Sequence, residues 1–470
     1  MPRFDPEEAG EAESMGAARW LRIRRLLYGA ALRLSGKTLQ NLGVLKAHAW
    51  LPREQVYSGQ QARLRRLLVH ASSQVPYYRQ VLADAGVLSG SGDVHLDRFS
   101  NIPLLDKTIL HERNTDLQSL DLDRRKWYRN SSGGSTGEPA RFVQDQEFAD
   151  WGRAVGLLFD LWAGYSVGES KIVYWSNTRD LSASTTKLKS RVAAALRNEI
   201  WLDARRMSPE QMRSFFDLIA RERPAQLLAF PENLYELARF ATKEGLEPQS
   251  PRAIVTTAAT LYPWMRRAIE GAFGAEVFNS YGSREVSGIA MECEAHKGLH
   301  VCLPVQHIEI LRPDGSPTSP GELGEVVVTC LVNWAMPLIR YRIGDMAAWG
   351  EDQCPCGRSW PLLKEVAGRT RDLFVKKDGT RVRIWENIFH RYPWIRKFQV
   401  VQEDYEFVRA LIVLDGESGS ANRKYADDIL QIEAAILDAM GPECKVEVVL
   451  TDRIEATASG KFRHHISRVN

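Results

Sequence analysis

Short apolar runs alternate with helix-like stretches through the middle of the chain, and this pattern constrains the fold more than any other feature. Three of the runs, at residues 172–175, 227–230 and 254–257, read as buried strands. The stretches between them have helical spacing, and one begins at Ser208 with a cap, a proline and a glutamine three residues after the cap. Strands separated by helices of this length predict an α/β domain with a largely parallel sheet.

The organisation changes in a polar stretch near residue 370. Beyond it, strand-like runs and a single helix-like run predict a compact α+β unit; these runs are residues 399–401, 407–413, 424–440 and 446–450. We therefore predict two domains, residues 1–370 with a helical N-terminal extension and residues 371–470.

A run of small residues interrupts the chain before the first of these strands. Residues 131–137 are all Gly, Ser or Thr, and Glu138 and Pro139 follow them. Such residues bury little apolar surface, but they can curl and direct backbone N–H groups at phosphate oxygens. The run lacks the lysine of the common nucleotide phosphate loop, and a flexible linker has the same composition. Taken alone, both interpretations stay open.

Four further polar stretches carry groups that suit a nucleotide reaction. Residues 279–285 follow a strand and combine an aromatic ring, a glycine and a carboxylate. Asp345 follows a glycine and suits neighbouring hydroxyls such as those of a ribose. Residues 368–372 stand where the second domain should begin, and Lys461 lies on a polar loop within that domain. Each stretch alone fits a turn, a charge pair or a surface lysine equally well.

Together, in this order and spacing, the five motifs resemble the adenylate-forming superfamily, which includes acyl-CoA synthetases, peptide-synthetase adenylation domains and luciferases. The similarity extends from about residue 55 to the C-terminus and is greatest to the phenylacetate–CoA ligase-like branch, with its capsular-polysaccharide-associated members. The resemblance implies a large N-terminal adenylation domain of mixed β-sheets and helices. It also implies a small, mobile α+β C-terminal domain.

The resemblance implies that a carboxylate attacks the α-phosphate of ATP, with Mg²⁺, and that a nucleophile captures the acyl-adenylate. Lys461 would be the catalytic residue, and Glu285 would hold Mg²⁺. Nucleotide binding is implied for Ser132, Gly133, Gly134, Ser135, Thr136, Gly137, Tyr281, Gly282, Ser283, Asp345 and Arg369. Arg371 and Asp372 would form the hinge between the domains.

The acceptor and the acid are less constrained. CoA is the expected acceptor, and an amine or hydroxyl in a biosynthetic pathway is the alternative. Trp175, Phe230 and Thr257 stand where relatives line the acyl pocket, although Trp and Phe there fit a core equally well. A third hypothesis is a non-enzymatic assembly factor at a membrane surface that uses the basic amphipathic stretch at residues 17–33. The alternative for that stretch is packing on the protein body.

Three cysteines and a histidine suggest a metal site that the superfamily does not need. Cys354 and Cys356 are separated by one residue, and Cys293 and His300 precede them by about fifty residues. Four such ligands suit a closed, tetrahedral, structural Zn²⁺ site. His296 is the rival ligand to His300, and free buried thiols are the alternative to zinc.

Composition limits the partners and the compartment. The 470 residues carry a net charge of +3, which does not indicate a nucleic-acid partner. Six cysteines do not suggest a disulfide framework, so we expect a cytoplasmic location. No apolar run is long enough for a transmembrane segment, and a homodimer is a common arrangement in the family.

Overall fold

The computed structural model describes most of the chain. The described residues are 23–24, 26–34, 36–89, 92–132, 140–176, 180–182, 188–205, 207–247, 250–351, 353–369, 374–379, 381–382, 384, 387–392, 394–415, 424–454 and 463–469. The chain divides into two compact units. The first comprises residues 1–261, 265–343 and 347–366, and the second comprises residues 262–264, 344–346 and 367–470.

The helices lie mostly in the first unit. In chain order they are α1 (26–34), α2 (Thr38–His48), α3 (Arg53–Gln74), α4 (Pro76–Asp84), α5 (Lys107–Glu112), α6 (Gln146–Trp162), α7 (Leu188–Arg197), α8 (Pro209–Glu222), α9 (Pro231–Glu244), α10 (Pro263–Phe273), α11 (Asn387–His390) and α12 (Ala426–Met440). No helix in the described ranges has an apolar segment of the length needed to cross a membrane.

Most of the strands belong to one large sheet. In chain order the strands are β1 (Trp127–Ser131), β2 (Arg141–Asp145), β3 (Lys171–Trp175), β4 (Glu199–Asp203), β5 (Gln226–Ala229), β6 (Ala253–Thr256), β7 (Glu276–Ser283), β8 (Ser287–Glu292), β9 (Leu299–Val301), β10 (Gln306–Leu311), β11 (Leu323–Cys330), β12 (Tyr341–Trp349), β13 (Leu362–Arg369), β14 (Phe374–Val375), β15 (Arg381–Val382), β16 (Ile395–Asp404), β17 (Phe407–Leu414), β18 (Lys445–Leu450) and β19 (His465–Ser467).

The large sheet is mixed, with eleven strands in the order β10-β11-β12-β13-β9-β8-β7-β6-β5-β3-β4. The pairs β4/β3, β3/β5, β5/β6 and β6/β7 are all parallel. Strands β7, β8 and β9 then continue the sheet with antiparallel pairing. This arrangement confirms the predicted α/β class. Because the parallel strands run in one direction, their carboxyl ends meet at one edge of the sheet.

Local sequence signals account for several element boundaries. Helix α8 begins with a reciprocal capping box, in which the Gln211 backbone N–H donates to the Ser208 Oγ and the Ser208 backbone N–H donates to the Gln211 Oε1. Pro76 ends one helix and is the first residue of the next, since a proline there loses no helical hydrogen bond. Helix α10 likewise begins at a proline, Pro263.

The second unit has its own sheet and core. Its four-stranded sheet has the order β18-β17-β16-β19, with β16 and β17 antiparallel and the outer pairs parallel. The apolar face of α12 contributes Ile432, Ile436 and Met440 to a buried cluster that also contains Phe398 and Ile412. The strands and the helix predicted for the last hundred residues are therefore present.

Candidate active site and metal centre

The run of small residues is the connection of a β-hairpin. Strands β1 and β2 pair in antiparallel register, with Ser131 opposite Arg141. Ser132 closes the hairpin, because its backbone N–H donates to the Ala140 carbonyl and its Oγ accepts from the Ala140 N–H, both at 2.9 Å. The predicted ligands Gly133, Gly134, Ser135, Thr136 and Gly137 lie outside the described residues. The run therefore joins two paired strands, which the linker interpretation did not anticipate.

A buried glutamine connects this hairpin to the second motif. The Gln144 Nε2 donates to the Arg284 carbonyl at 2.7 Å and to the Glu285 carbonyl at 3.3 Å. Its Oε1 accepts from the Asn130 Nδ2 at 2.9 Å, so both strands of the hairpin take part. Sequence reasoning missed Gln144. The available signal was a glutamine in a strand whose other inner positions are apolar.

The second motif forms the tight turn between β7 and β8. A bulge separates Tyr281 from Gly282, and a Cβ at Gly282 would lie 2.7 Å from the Ser287 carbonyl oxygen. Only glycine fits that approach. The Ser283 Oγ accepts from the Val286 N–H at 3.4 Å, and Tyr281 is buried. The turn holds Glu285 in a buried position.

The Glu285 carboxylate has no partner among the described residues. The residue is 6% exposed, yet its side chain makes no hydrogen bond or ion pair with them. A carboxylate whose oxygens have no protein partner is available to a cation such as Mg²⁺. The chemistry of this position therefore fits the cation-binding role predicted for it.

The three residues predicted for the acyl pocket lie at the same edge of the sheet. Trp175 is the last residue of β3, Phe230 follows β5, and Thr257 follows β6. The rings of Trp175 and Phe230 are in contact, with centroids 4.5 Å apart. The indole N–H of Trp175 donates to Asp180 at 3.0 Å, and Arg284 pairs with both oxygens of that carboxylate at 2.6 Å. Asp180 thus links the aromatic pair to the turn that carries Glu285.

A second buried carboxylate supports the strand of the Tyr281 motif. Glu292 receives two bonds from Arg266, at 2.6 and 2.7 Å, and a third from the backbone N–H of Asn279 at 2.9 Å. Although burial opposes it, hydrogen bonding from His296 and the Arg266 charge lower the pKa of Glu292. His296, the rival metal ligand, therefore contacts Glu292. Sequence reasoning missed this network.

The predicted ribose ligands form an ion pair within the second unit. The Arg369 Nε lies 3.1 Å from the Asp345 Oδ1, and Asp345 is buried. Gly344 has a φ of 82°, a conformation that glycine adopts without strain. The predicted hinge residues Arg371 and Asp372 and the predicted catalytic residue Lys461 lie outside the described residues.

The structure brings together the four residues predicted to bind a metal. The ligand atoms of Cys293, His300, Cys354 and Cys356 all lie within 4.8 Å of one another. The Cys293 and Cys354 sulfurs are 3.6 Å apart, and the Cys356 sulfur is 3.3 Å from the His300 Nε2. Three of the four residues are buried. Such a set of three thiols and one imidazole suits a tetrahedral metal ion.

The surroundings of this cluster orient its histidine. The His300 Nδ1 lies 3.0 Å from the Trp360 carbonyl oxygen, so that nitrogen donates and the Nε2 presents its lone pair to the cluster. Burial lowers the pKa of His300 to about 4, which keeps the imidazole neutral. Although burial opposes it, hydrogen bonds from Arg358 lower the pKa of the Cys356 thiol below its ordinary value. The Arg358 guanidinium lies 4.7 Å from the ring centroid of Trp162.

Comparisons with known proteins agree with this architecture. A family model described as the CapK C-terminal domain matches residues 374–468. The phenylacetate-coenzyme A ligase of Thermus thermophilus is 26% identical over 345 residues, which cover 69% of this chain and 73% of that protein. Protein CapK of Staphylococcus aureus is 20% identical over 438 residues, which cover 87% of this chain and 89% of that protein.

Among solved structures, 2-hydroxyisobutyryl-CoA ligase in the postadenylation state, in complex with 2-HIB-AMP, matches with a TM-score of 0.71 at 19% identity. The match covers 89% of this chain and 91% of that one. The fold is therefore that of the adenylate-forming ligases. Homologues of the chain are phenylacetate-CoA ligases and CapK, and residues 374–468 match the CapK C-terminal domain. These findings confirm the resemblance predicted from the five motifs.

Proposed function

We propose that the protein is an AMP-forming ligase that activates a carboxylic acid with ATP and transfers the acyl group to CoA. Its phenylacetate-CoA ligase homologues support both steps. The observation that carries the proposal is the connection through Gln144, which joins the hairpin of the glycine run to the Glu285 turn. Beside that turn, the aromatic pair of Trp175 and Phe230 stands at the carboxyl edge of the parallel strands.

In the first step, an oxygen of the substrate carboxylate bonds to the α-phosphorus of ATP, and the bond to the pyrophosphate oxygen breaks. The products are acyl-adenylate and pyrophosphate. The backbone N–H groups of residues 132–137 would hold the departing phosphates, and Lys461 would neutralise charge at the reacting carboxylate and α-phosphate. Asp345 and Arg369 would bind the ribose hydroxyls, and Tyr281 would pack on the adenine with Gly282 and Ser283 beside it.

Mg²⁺ would supply further charge neutralisation on the phosphates. Glu285 is its proposed ligand, because its carboxylate makes no hydrogen bond or ion pair with the described residues and is available to a cation. In the second step, the CoA thiol attacks the acyl carbon and AMP leaves. Aromatic walls at Trp175 and Phe230, with Thr257 beside them, suit a flat aryl acid.

The chain would change conformation between the two steps. We place the domain boundary at residue 370, with Arg371 and Asp372 as the hinge about which residues 371–470 rotate. The close grouping of three cysteines and one histidine supports a structural Zn²⁺ ion. Its ligands would be Cys293, His300, Cys354 and Cys356. Four protein ligands leave no open position, so this ion would stabilise the fold and take no part in catalysis.

An ATP–pyrophosphate exchange screen over aryl, fatty and amino acids tests the first step. We expect exchange with at least one aryl acid, and the positive acids are then incubated with CoA or with amines to identify the acceptor. Lys461→Ala should reduce exchange by about two orders of magnitude or more. The matched control is Lys445→Ala, which alters an exposed lysine of the same unit and should leave exchange unchanged. Equal exchange in the two variants would refute the assignment of Lys461.

The role of Glu285 has its own test. Glu285→Gln keeps the size of the side chain but removes the charge, so the Mg²⁺ concentration needed for half-maximal exchange should rise by about tenfold or more. Glu276→Gln, at the exposed first residue of the strand that precedes the Glu285 turn, is the control. An unchanged Mg²⁺ requirement in Glu285→Gln would exclude this carboxylate as the ligand.

A further inference from the structure

The N-terminal part of the chain carries a long segment without acidic residues. From Ser14 to Arg53 there is no Asp or Glu, whereas the segment contains eight lysines and arginines: Arg19, Arg22, Arg24, Arg25, Arg33, Lys37, Lys46 and Arg53. A charge distribution of this kind creates a local positive field although the whole chain has a net charge of only +3.

Helix α1, in this segment, turns an apolar face away from the protein. Leu26, Leu27 and Leu34 are 73%, 53% and 90% exposed, and Ala30 is exposed as well. At about 100° per residue, these four positions lie within an arc of about 100° on one side of the helix. Arg33 lies at one border of the arc and is also exposed. The outward side of α1 is thus an apolar stripe beside positive charge.

The opposite side of α1 holds the helix on the first unit. Leu32 is buried, and burial raises the pKa of Tyr28, whose hydroxyl is within electrostatic range of two arginines and two carboxylates: Arg197, Glu199, Arg153 and Asp160. Both inward residues lie roughly 150–170° from the centre of the exposed stripe. The helix is therefore anchored through one face, and its apolar outward face is not needed for that packing.

A second basic helix lies beside α1. Arg197, the last residue of α7, lies within electrostatic range of Tyr28 and is ion-paired with Glu199 at 2.9 Å. Residues 181–198 contain no Asp or Glu and include Lys187, Lys189, Arg191 and Arg197. Arg191 and Val192 are exposed on this helix. The two segments that approach each other at Tyr28 and Arg197 therefore both carry an excess of basic residues.

We propose that α1 docks the protein on an anionic lipid surface, with Leu26, Leu27 and Leu34 inserted at the level of the headgroups and the arginines facing the lipid phosphates. An apolar stripe bordered by basic residues is the arrangement that lies in a membrane interface. A second copy of the chain fits this surface poorly, because the basic segments of the two copies would repel each other. The inference is independent of the proposed ligase activity.

Vesicle flotation of the full chain tests the proposal. At low salt the protein should bind vesicles that contain phosphatidylglycerol at least about tenfold more tightly than vesicles of phosphatidylcholine alone. Binding should fall sharply at about 1 M salt, where electrostatic screening is strong. The variant Leu26→Ser/Leu27→Ser/Leu34→Ser should bind phosphatidylglycerol vesicles about tenfold or more weakly. Arg24→Gln/Arg33→Gln should weaken binding and reduce its salt dependence.

The matched control is Leu120→Ser/Leu430→Ser, which alters two leucines that are 62% and 61% exposed elsewhere on the chain. This control should bind as the unmodified protein does, and all variants should keep its circular dichroism spectrum. The proposal is overturned by equal affinity for the two kinds of vesicle or by undiminished binding of the triple-serine variant. It is also overturned if the unmodified protein does not bind vesicles and instead sediments as a dimer that the triple-serine variant does not form.

Discussion

Replacing Gln144 by leucine removes a buried amide group that joins two motifs, and its consequences can be estimated from the hydrogen bonds. Gln144 is fully buried, and its Nε2 and Oε1 together make three hydrogen bonds, to Arg284, Glu285 and Asn130. Leucine has a similar volume but satisfies none of these partners. A buried polar group left without a partner costs about 1–3 kcal/mol.

Because the 3.3 Å bond to Glu285 is long and Asn130 is only partly buried, we expect a total loss of about 2–4 kcal/mol in the free energy of unfolding of the first unit. Urea denaturation followed by tryptophan fluorescence measures this loss. Gln60→Leu is the control, since Gln60 is also buried and its Nε2 donates to the Gln306 carbonyl at 2.8 Å, whereas it makes no hydrogen bond to Arg284 or Glu285. It should cost a comparable amount.

The two variants should differ in their response to Mg²⁺. Without the Gln144 amide the Glu285 main chain is free to shift, so Gln144→Leu should raise the Mg²⁺ requirement of ATP–pyrophosphate exchange by about tenfold, equivalent to about 1.4 kcal/mol. Gln60→Leu should leave that requirement unchanged. The reasoning fails if Gln144→Leu unfolds like the unmodified protein, or if both variants show the same Mg²⁺ requirement.

Three further predictions concern other parts of the molecule. Cys354→Ser should abolish near-stoichiometric zinc in purified protein and lower the melting temperature, whereas Cys444→Ser, at a buried cysteine outside the cluster, should retain the zinc; absence of zinc in the unmodified protein would contradict the metal site. Asp180→Asn should increase the number of aryl acids that support ATP–pyrophosphate exchange, because the carboxylate that accepts from the Trp175 indole N–H and pairs with the Arg284 guanidinium loses its charge. An unchanged ranking of acids would count against this role of Asp180. Hydrogen bonding from Arg125 lowers the pKa of Asp121 to about 2, so this pair stabilises the protein above pH 4 and its contribution disappears as the pH falls toward 2. Asp121→Asn should therefore cost about 1 kcal/mol at pH 7 and progressively less on acidification, and a difference independent of pH would refute this account.

The aromatic pair shows how far sequence reasoning reached toward the substrate. Trp175 and Phe230 were predicted from the resemblance, because relatives line the acyl pocket with residues that follow the middle strands, and the structure places the two rings in contact. Their role stays a prediction. Asp180 was not foreseen, because its partner Arg284 is 104 residues away along the chain.

Local patterns in the sequence determined much of the architecture. The spacing of apolar residues around Ser208 predicted the helix, and its capping box involves residues only three positions apart. The alternation of strands and helices likewise predicted parallel strands, because a parallel connection requires such a crossover. The spacing of Cys354 and Cys356 identified half of the metal cluster. Each of these signals is contained in a short segment.

Only the tertiary structure decided which distant groups meet. The Gln144 amide bonds carbonyls about 140 residues further along the chain, and Asp180 pairs with Arg284, 104 residues after it. The outward direction of the leucines on α1 is equally invisible in the sequence, since a helical pattern identifies an apolar face without revealing which side of the helix packs on the protein. These features depend on strand order and on the docking of helices, and both arise from long-range packing that no local pattern encodes.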